Sequence, residues 1–235
     1  MKIKCLASSS SGNCYTIDDT IMIDCGISAK EILARTNYKL PSVCLITHSH
    51  RDHSSCHRDL NKLGVKIYCS NGCNSDLGSN YYLLSSVMNI KGYTVTPFPV
   101  VHGDDRRPCR EPLGFMITKE DERLVFITDT ARIDYSFQGV TQFVVECNYD
   151  VETLSEDADD SHLEWAMNNH LGLTEVYEWF KTHRMQGWLE KTKAIYLAHL
   201  SDKNSSERKM INMIKQASGI DSVFACQKNG GFNDM

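Results

Sequence analysis

The stretch ITHSHRDHSS, residues 46–55, places three histidines and one aspartate within six consecutive positions. The 235-residue chain holds nine histidines in all, so such a density is unusual for a polar loop. His48 and His50 are two residues apart and point to the same side of an extended segment, whereas Asp52 and His53 stand at the turn into the next helix. The pattern predicts a metal site, provided that other parts of the chain supply further ligands.

Further residues that can bind a metal stand where apolar, strand-like runs end. SVCLIT leads into the histidine cluster, YTVTPFPVV ends at His102, RLVFIT at Asp129, AIYLA at His199 and TIMI at Asp24. The crevice beyond strand ends is where sheet-based folds build their sites. Imidazoles and carboxylates without thiolates suit two divalent metals, Zn²⁺, Mn²⁺ or Fe²⁺, that share one carboxylate.

The composition limits the classes of protein and ligand. Hydrophobic residues make up 41% of the chain, but no run approaches the roughly 18 apolar residues that a membrane helix needs. We therefore expect a cytoplasmic protein without membrane contact, in which the ten cysteines are reduced, buried thiols. The sequence does not decide between this interpretation and a second metal site at Cys69 and Cys73. The net charge of −5, with dispersed basic residues, argues against long nucleic acid and leaves small ligands open.

The order of the predicted elements indicates a layered fold. Strand-like runs dominate residues 1–147, with helical patterns at Ser28–Arg35, Cys56–Leu63 and Asn71–Leu77. A helical, acidic segment occupies about residues 150–190, and another helix is predicted near Ser205–Gln216. Strands followed by helices, twice over, predict one α/β or α+β domain over residues 1–235, with two sheets and helices outside them.

Several motifs resemble a known family. THSHRDH resembles the HxHxDH signature of the metallo-β-lactamase fold superfamily. SSSSGNCY, MIDCG, FITDT, VECNYD, NHL and LAHLS are similar to the YycJ-type branch, a relative of ribonuclease Z that includes the phage anti-Pycsar cyclic nucleotide phosphodiesterases. The resemblance covers most of the chain and implies a four-layer αββα sandwich.

The resemblance also implies a set of ligands for two divalent metal ions, with Zn²⁺ as the first choice and Mn²⁺ as the second. One metal would be bound by His48, His50 and His102, the second by Asp52, His53 and His199, with Asp129 bridging both.

Other residues receive roles around the metals. Asp24 would orient the ligand loop, Asp52 would help to orient the attacking water, and His170 in NNHLGLTE would protonate the leaving group. The stretch HLGLTE departs from the family pattern, in which a small residue and then Ser or Thr follow the histidine, because Leu173 looks inserted. Three arginines near His102 could bind substrate phosphate or neutralise neighbouring aspartates: Arg106, Arg107 and Arg110.

The predicted function is hydrolysis of 3′,5′-cyclic nucleotides to mononucleotides, in the bacterial host cytoplasm if the chain is phage-encoded. The first alternative is a DNA or RNA nuclease, and the second is an acyl hydrolase that acts on thioesters or lactones. A di-iron redox protein fits poorly, because His50 stands where such proteins have a carboxylate. Relatives of this branch also imply a homodimer, with the segment Asp150–Arg184 covering the site.

Overall fold

The computed structural model describes residues 1–103, 107–153, 160–202 and 204–233, the side chains of residues 160–163 excepted. Within these ranges the strands are β1 (Ile3–Ala7), β2 (Cys14–Ile17), β3 (Ile21–Ile23), β4 (Val43–Leu45), β5 (Lys66–Cys69), β6 (Tyr82–Leu83), β7 (Met88–Ile90), β8 (Tyr93–Pro99), β9 (Leu113–Lys119), β10 (Glu122–Ile127), β11 (Gln142–Glu146), β12 (Ala194–Ala198), β13 (Val223–Cys226) and β14 (Phe232–Asn233). The helices are α1 (Ala29–Arg35), α2 (Arg51–Ser54), α3 (His57–Lys62), α4 (Asn71–Leu77), α5 (Asp160–Asn169), α6 (Leu173–Met185) and α7 (Glu207–Ser218).

The described strands form two mixed sheets. The first sheet has the order β1-β2-β3-β4-β5-β6, antiparallel up to β3 and parallel from there on. The second sheet has the order β14-β13-β12-β11-β10-β9-β8-β7, and its parallel part is β10 to β13. Three of the parallel strands, β4, β10 and β12, lead into residues that the sequence analysis selected as metal ligands.

Alternation along each strand divides the apolar residues between an inner and an outer face. Ile21 and Ile23 of β3 lie in the core between the sheets, whereas Met22 packs on the outer side under α1 and α3. Leu124 of β10 also faces inward, and Val125 faces outward toward α6 and α7. Period-two alternation thus buries both faces of each sheet. Two sheets face each other and helices cover the outer faces, which confirms the predicted αββα sandwich.

The outer helices follow the signals in their sequences. Ser28 caps α1 through a reciprocal capping box with Glu31, which satisfies free N–H groups of the first turn. In α7, the residues at helical spacing, Met210, Ile214 and Ala217, are buried against the second sheet. The predicted helices are confirmed to within a few residues. The short helix α2, which carries Asp52 and His53, was not predicted because its apolar pattern is too short.

The structure also bears on the other predictions from composition. All ten cysteines are free thiols, and nine of them are buried. None of the helices in the described ranges is long and apolar enough to cross a bilayer. Helices α5 and α6 lie within the predicted helical segment, of which residues 154–159 fall outside the described residues.

Candidate metal centre and active site

The Asp24 side chain ties the ligand loop to the first sheet. It accepts the Thr47 backbone N–H at 2.8 Å and His53 Nδ1 at 2.7 Å. Thr47 Oγ1 donates to Asp24 and lies 3.0 Å from His48 Nδ1, from which it can accept. With Nδ1 engaged in both imidazoles, Nε2 is the nitrogen left for another partner. This geometry fits the orienting role that the sequence analysis gave to Asp24.

The first histidine cluster consists of His48, His50 and His102, which follow β4 and β8. Their ring centres are 4.7 Å or 4.9 Å apart. His102 Nδ1 donates to the Asn169 carbonyl at 3.0 Å, and its Nε2 lies 3.1 Å from His50 Nδ1. The Nε2 atoms of His48 and His50 are buried and have no hydrogen-bond partner among the described residues. Imidazole nitrogens therefore converge on a position that the protein itself leaves unsatisfied.

The second cluster consists of Asp52, His53, Asp129 and His199. His53 Nε2 contacts Asp129 Oδ2 and lies 3.3 Å from Asp52 Oδ2. His199 Nδ1 is 2.6 Å from Asp129 Oδ1, and its buried Nε2, which lacks a hydrogen-bond partner in the described chain, is 3.8 Å from Asp52 Oδ2. Asp129 Oδ2 is also 3.7 Å from His48 Nε2. Asp129 thus lies between the two clusters, where a bridging carboxylate would be needed.

A buried glutamate that the sequence analysis did not select supports the second cluster. Glu146 Oε1 accepts His170 Nδ1 at 2.6 Å and His199 Nδ1 at 2.9 Å. Its Oε2 accepts the backbone N–H groups of Thr130 and Leu171. Glu146 is the last residue of β11, so the strand-end argument that found Asp129 could have found it too.

The backbone is left-handed at three of the strand-end residues. Asp24, Asp129 and His199 have φ of 59°, 50° and 55°. Residues other than glycine rarely adopt this region, because Cβ approaches the following carbonyl and costs roughly 1–2 kcal/mol. Such conformations cluster at functional sites, where the surrounding structure holds them. The sharp turn after each strand directs these side chains into the crevice.

Burial and charge divide the imidazoles into two groups. Burial lowers the pKa of His48 and His50 and holds the pKa of His102 at about 4. These rings are neutral at physiological pH, which is the form that binds a cation.

In the second group, burial also acts to lower the pKa, but carboxylates override it. Asp129 raises the pKa of His53 well above its usual value and that of His199 to about 10. Glu146 raises the pKa of His170 to about 9. The carboxylates in turn are held ionised: despite burial, His199 lowers the pKa of Asp129, and His170 lowers that of Glu146.

A cavity of about 160 Å³ opens onto both clusters. Arg107 and Trp165 line it, with the guanidinium 4.9 Å from the indole ring centre. Arg110 does not line it, because its Nε lies 3.3 Å from Asp76 Oδ1 on the surface. Arg106 lies outside the described residues. In the segment Asp150–Arg184, which was expected to cover the site, Trp165 lines the cavity, whereas Tyr177, Trp179 and Phe180 pack against the second sheet.

The donors fit divalent metals. Groups of potential ligand atoms lie within 4.8 Å of one another in three sets: His48, His50 and His102; Asp52, His53, Asp129 and His199; and Asp129, Glu146, His170 and His199. Buried imidazole nitrogens without partners and a donor set of nitrogen and carboxylate oxygen are what such metals require. No set in the described chain contains a cysteine, so nothing here supports a second site at Cys69 and Cys73.

A family match decides the classification of the chain. Residues 19–186 match the model described as beta-lactamase superfamily domain. The chain belongs to the beta-lactamase superfamily. It is a metal-dependent hydrolase of this superfamily, so the predicted class of enzyme is confirmed.

Similar proteins indicate which branch of the superfamily the chain resembles. Exodeoxyribonuclease WalJ of Streptococcus pneumoniae serotype 2 is 26% identical over 246 residues, which cover 92% of this chain and 89% of that protein. Exodeoxyribonuclease YycJ of Bacillus anthracis is 28% identical over 245 residues, with the same coverage. The crystal structure of the metallo-beta-lactamase fold protein YhfI from Bacillus subtilis superposes with a TM-score of 0.70 at 14% identity, covering 98% of both chains.

These comparisons confirm the superfamily, the fold and the similarity to YycJ. The similarity to anti-Pycsar phosphodiesterases, the homodimer and the cytoplasmic location stay predictions.

Proposed function

We propose that this superfamily member is a two-metal phosphodiesterase that acts on the ends of DNA or RNA strands. The observation that supports the proposal is that five of the seven predicted donors and His170 line one cavity, and that His48, His53 and Glu146 contact these residues from behind. The relatives named exodeoxyribonucleases support strand ends as the substrate. This is the reading that the sequence analysis placed second.

The metal-binding roles follow the geometry of the two clusters. His48, His50 and His102 would hold one ion, Asp52, His53 and His199 would hold the other, and Asp129 would contact both. The nitrogen-rich donor set favours Zn²⁺, with Mn²⁺ as the second choice. The chemistry that such a pair supplies when bound is the activation of water and the neutralisation of phosphoryl oxygens.

The remaining polar groups act on protons and orientation. His170 lines the cavity, and Glu146 holds its Nδ1, so Nε2 is the nitrogen available to a leaving oxygen. An alkoxide is a poor leaving group and gains from a positioned proton donor. Asp52 also lines the cavity, and its carboxylate would accept a hydrogen bond from an attacking water.

Arg107 and Trp165 provide a place for the terminal nucleotide. The indole offers a flat apolar face at the cavity, and a base that stacks on such a face gains about 1–3 kcal/mol. The Arg107 guanidinium lies over the indole ring, 4.9 Å from its centre, and suits a phosphate oxygen.

Cyclic nucleotides and acyl compounds remain the alternatives, and a parallel assay separates the three substrate classes. We expect purified protein with Zn²⁺ or Mn²⁺ to degrade 5′-labelled single-stranded DNA faster than cyclic mononucleotides or a chromogenic thioester. Faster turnover of a cyclic mononucleotide would restore the first prediction of the sequence analysis. Turnover of the thioester alone would exclude a phosphodiesterase.

The metal content gives a separate test. We expect about two ions per chain by elemental analysis, since the two clusters are distinct. Asp129→Ala should lose more activity than any single histidine substitution, because the carboxylate faces both clusters. One ion or none in folded, undialysed protein would contradict the assignment.

The role of His170 is tested with leaving groups of different quality. His170→Ala should slow the cleavage of a DNA phosphodiester by roughly 10²–10⁴-fold, but have little effect on bis-p-nitrophenyl phosphate, whose phenolate leaves without a proton. His57→Ala is the matched control, because His57 is also buried but bonds Tyr81 away from the cavity. If His170→Ala slowed the cleavage of both substrates equally, His170 would act by positioning the substrate or the site and not by donating a proton.

A further inference from the structure

A second concavity adjoins the catalytic cavity at the surface of the first sheet. Ser10 and Asp52 line both, so the two spaces meet along these residues. The second space, of about 430 Å³, is bounded by Arg51 at the start of α2, Arg35 at the end of α1 and Lys228 before β14. We call it the Arg51 groove.

Basic side chains outnumber acidic ones by three to two in the Arg51 groove, although the net charge of the chain is negative. The basic residues that line it are Arg35, Arg51 and Lys228, and the acidic ones are Glu31 and Asp52. Asp52 also faces the metal cluster, and Glu31 is held by the Ser28 cap and by the Arg35 guanidinium. The field along the groove therefore favours anions.

Arg51 is the group best placed for a ligand. It is exposed, and its guanidinium makes no ion pair or hydrogen bond with other described side chains. Among the described residues, Lys228 has one partner, the exposed carboxylate of Asp202, and water and salt screen this ion pair. Neither cation is committed to holding the fold together.

The groove continues away from the catalytic cavity. Arg35 and Asn229 also line a third concavity, of about 360 Å³, which extends to Lys4. The catalytic cavity alone holds about 160 Å³, below the roughly 300 Å³ that encloses a drug-sized ligand. A continuous path with cations at intervals suits a polymer of phosphates better than a single small molecule.

We propose that the Arg51 groove binds the phosphates of a single nucleic acid strand next to the bond being cleaved, with Arg51 and Lys228 as the main contacts. The proposal rests on the proposed function for the location of that bond. The terminal nucleotide would lie against Trp165 at one end of the catalytic cavity, and the strand would leave past Ser10 at the other. A cyclic mononucleotide would not reach the groove.

The test compares strand binding and strand cleavage in the metal-loaded protein. The variants are Arg51→Gln, Lys228→Gln and the double substitution, with Arg58→Gln on α3 as the matched exposed control. Binding of a fluorescent single strand of about twelve nucleotides with phosphorothioate linkages is measured by anisotropy at several salt concentrations. Cleavage of the unmodified DNA and RNA strands and of bis-p-nitrophenyl phosphate is measured in parallel.

Each substitution should weaken strand binding about tenfold, and the double substitution more. The slope of log affinity against log salt should fall by about 0.7 for each lost phosphate contact. The kcat/KM for strands should fall at least about tenfold more than that for the small diester, mainly through KM, for DNA and RNA alike. Arg58→Gln should behave as wild type.

The proposal that the groove binds a strand would be overturned if the wild type binds no strand, or if the double variant binds it as tightly as the wild type. This holds even if DNA is cleaved. Equal losses on strands and on the small diester would also overturn it, since the residues would then support the metal site. Binding through the groove without cleavage of any strand would keep the groove and refute the strand-end function.

Discussion

Replacing Glu146 by glutamine keeps the shape of a fully buried side chain and removes its charge. In the wild type, Oε1 accepts two imidazole N–H groups and Oε2 accepts two backbone N–H groups. A glutamine has one oxygen, so in either orientation its amide N–H₂ faces two donors. Two hydrogen bonds are lost in either case. With the amide nitrogen at Oε2, the backbone N–H groups of Thr130 and Leu171 lose their acceptor. With it at Oε1, the two imidazoles lose theirs and have only Asp129 Oδ1, which is 2.6 Å from His199 Nδ1 and 3.3 Å from His170 Nδ1.

The size of the effect follows from this geometry. Leaving a buried donor unsatisfied costs about 1–3 kcal/mol, and removing one partner of a buried ionic pair costs about 3–5 kcal/mol. We expect Glu146→Gln to lower the free energy of unfolding by roughly 3–5 kcal/mol. For a chain of this length, that corresponds to a fall in Tm of about 6–20 °C.

Activity should change with the leaving group. Without the carboxylate, neither the tautomer nor the protonation of His170 is held, so cleavage of DNA should fall roughly 10²–10⁴-fold. Cleavage of bis-p-nitrophenyl phosphate should fall less. The assays are urea unfolding and initial rates on both substrates. Glu175→Gln, the same substitution at an exposed carboxylate on α6, is the control.

A Glu146→Gln protein whose free energy of unfolding lies within about 1 kcal/mol of wild type would refute the reasoning, because the buried donors must then have found other partners. Normal DNA cleavage by a stable variant would show that His170 does not depend on Glu146.

Three further outcomes follow from the structure. Asp24→Asn keeps a single acceptor for three hydrogen bonds and should weaken metal affinity roughly 10–100-fold in a chelator competition. Gly26→Ala would place Cβ 1.6 Å from the Asp52 carbonyl oxygen, and urea unfolding should show a loss of more than about 3 kcal/mol, against about 1 kcal/mol for Gly78→Ala, which meets nothing within 4 Å. Burial lowers the pKa of His183, so its contribution is present above about pH 6.5 and is lost as the pH falls through its folded-state pKa; wild type should lose more unfolding free energy between about pH 7.5 and about pH 5 than His183→Gln.

The cluster of candidate ligands could be predicted from the sequence because each of these residues follows a strong local signal. Apolar runs ending in His102, Asp129 and His199 are recognisable as strands, and parallel strands bring their ends together. The pairing of the sheets and the superfamily motif then placed these residues near His48 and His50.

Glu146 was missed although it ends a strand-like run, and the Arg51 groove has no comparable local signal. Glu146 resembles any polar residue after a strand until its partners, His170 and His199, are brought to it from later elements. The groove depends on Arg51 and Lys228, which are far apart in sequence. A net charge of −5 averages over the whole surface and hides a local excess of cations.

The left-handed backbone at His199 sets stability and turnover against each other at this position. Glycine would relieve the conformation and remove the buried Nε2, which has no hydrogen-bond partner in the described chain. The carboxylates beside Nδ1, those of Asp129 and Glu146, would keep His53 and His170 as partners. A library of all substitutions sorted only for thermal stability without metal should therefore enrich glycine at His199, whereas a library sorted for turnover should keep histidine. At Asp24 and Asp129 the two sorts should agree, because their carboxylates bind buried donors that glycine would abandon. Disagreement between the two sorts would thus mark, residue by residue, where this fold gives up stability for chemistry.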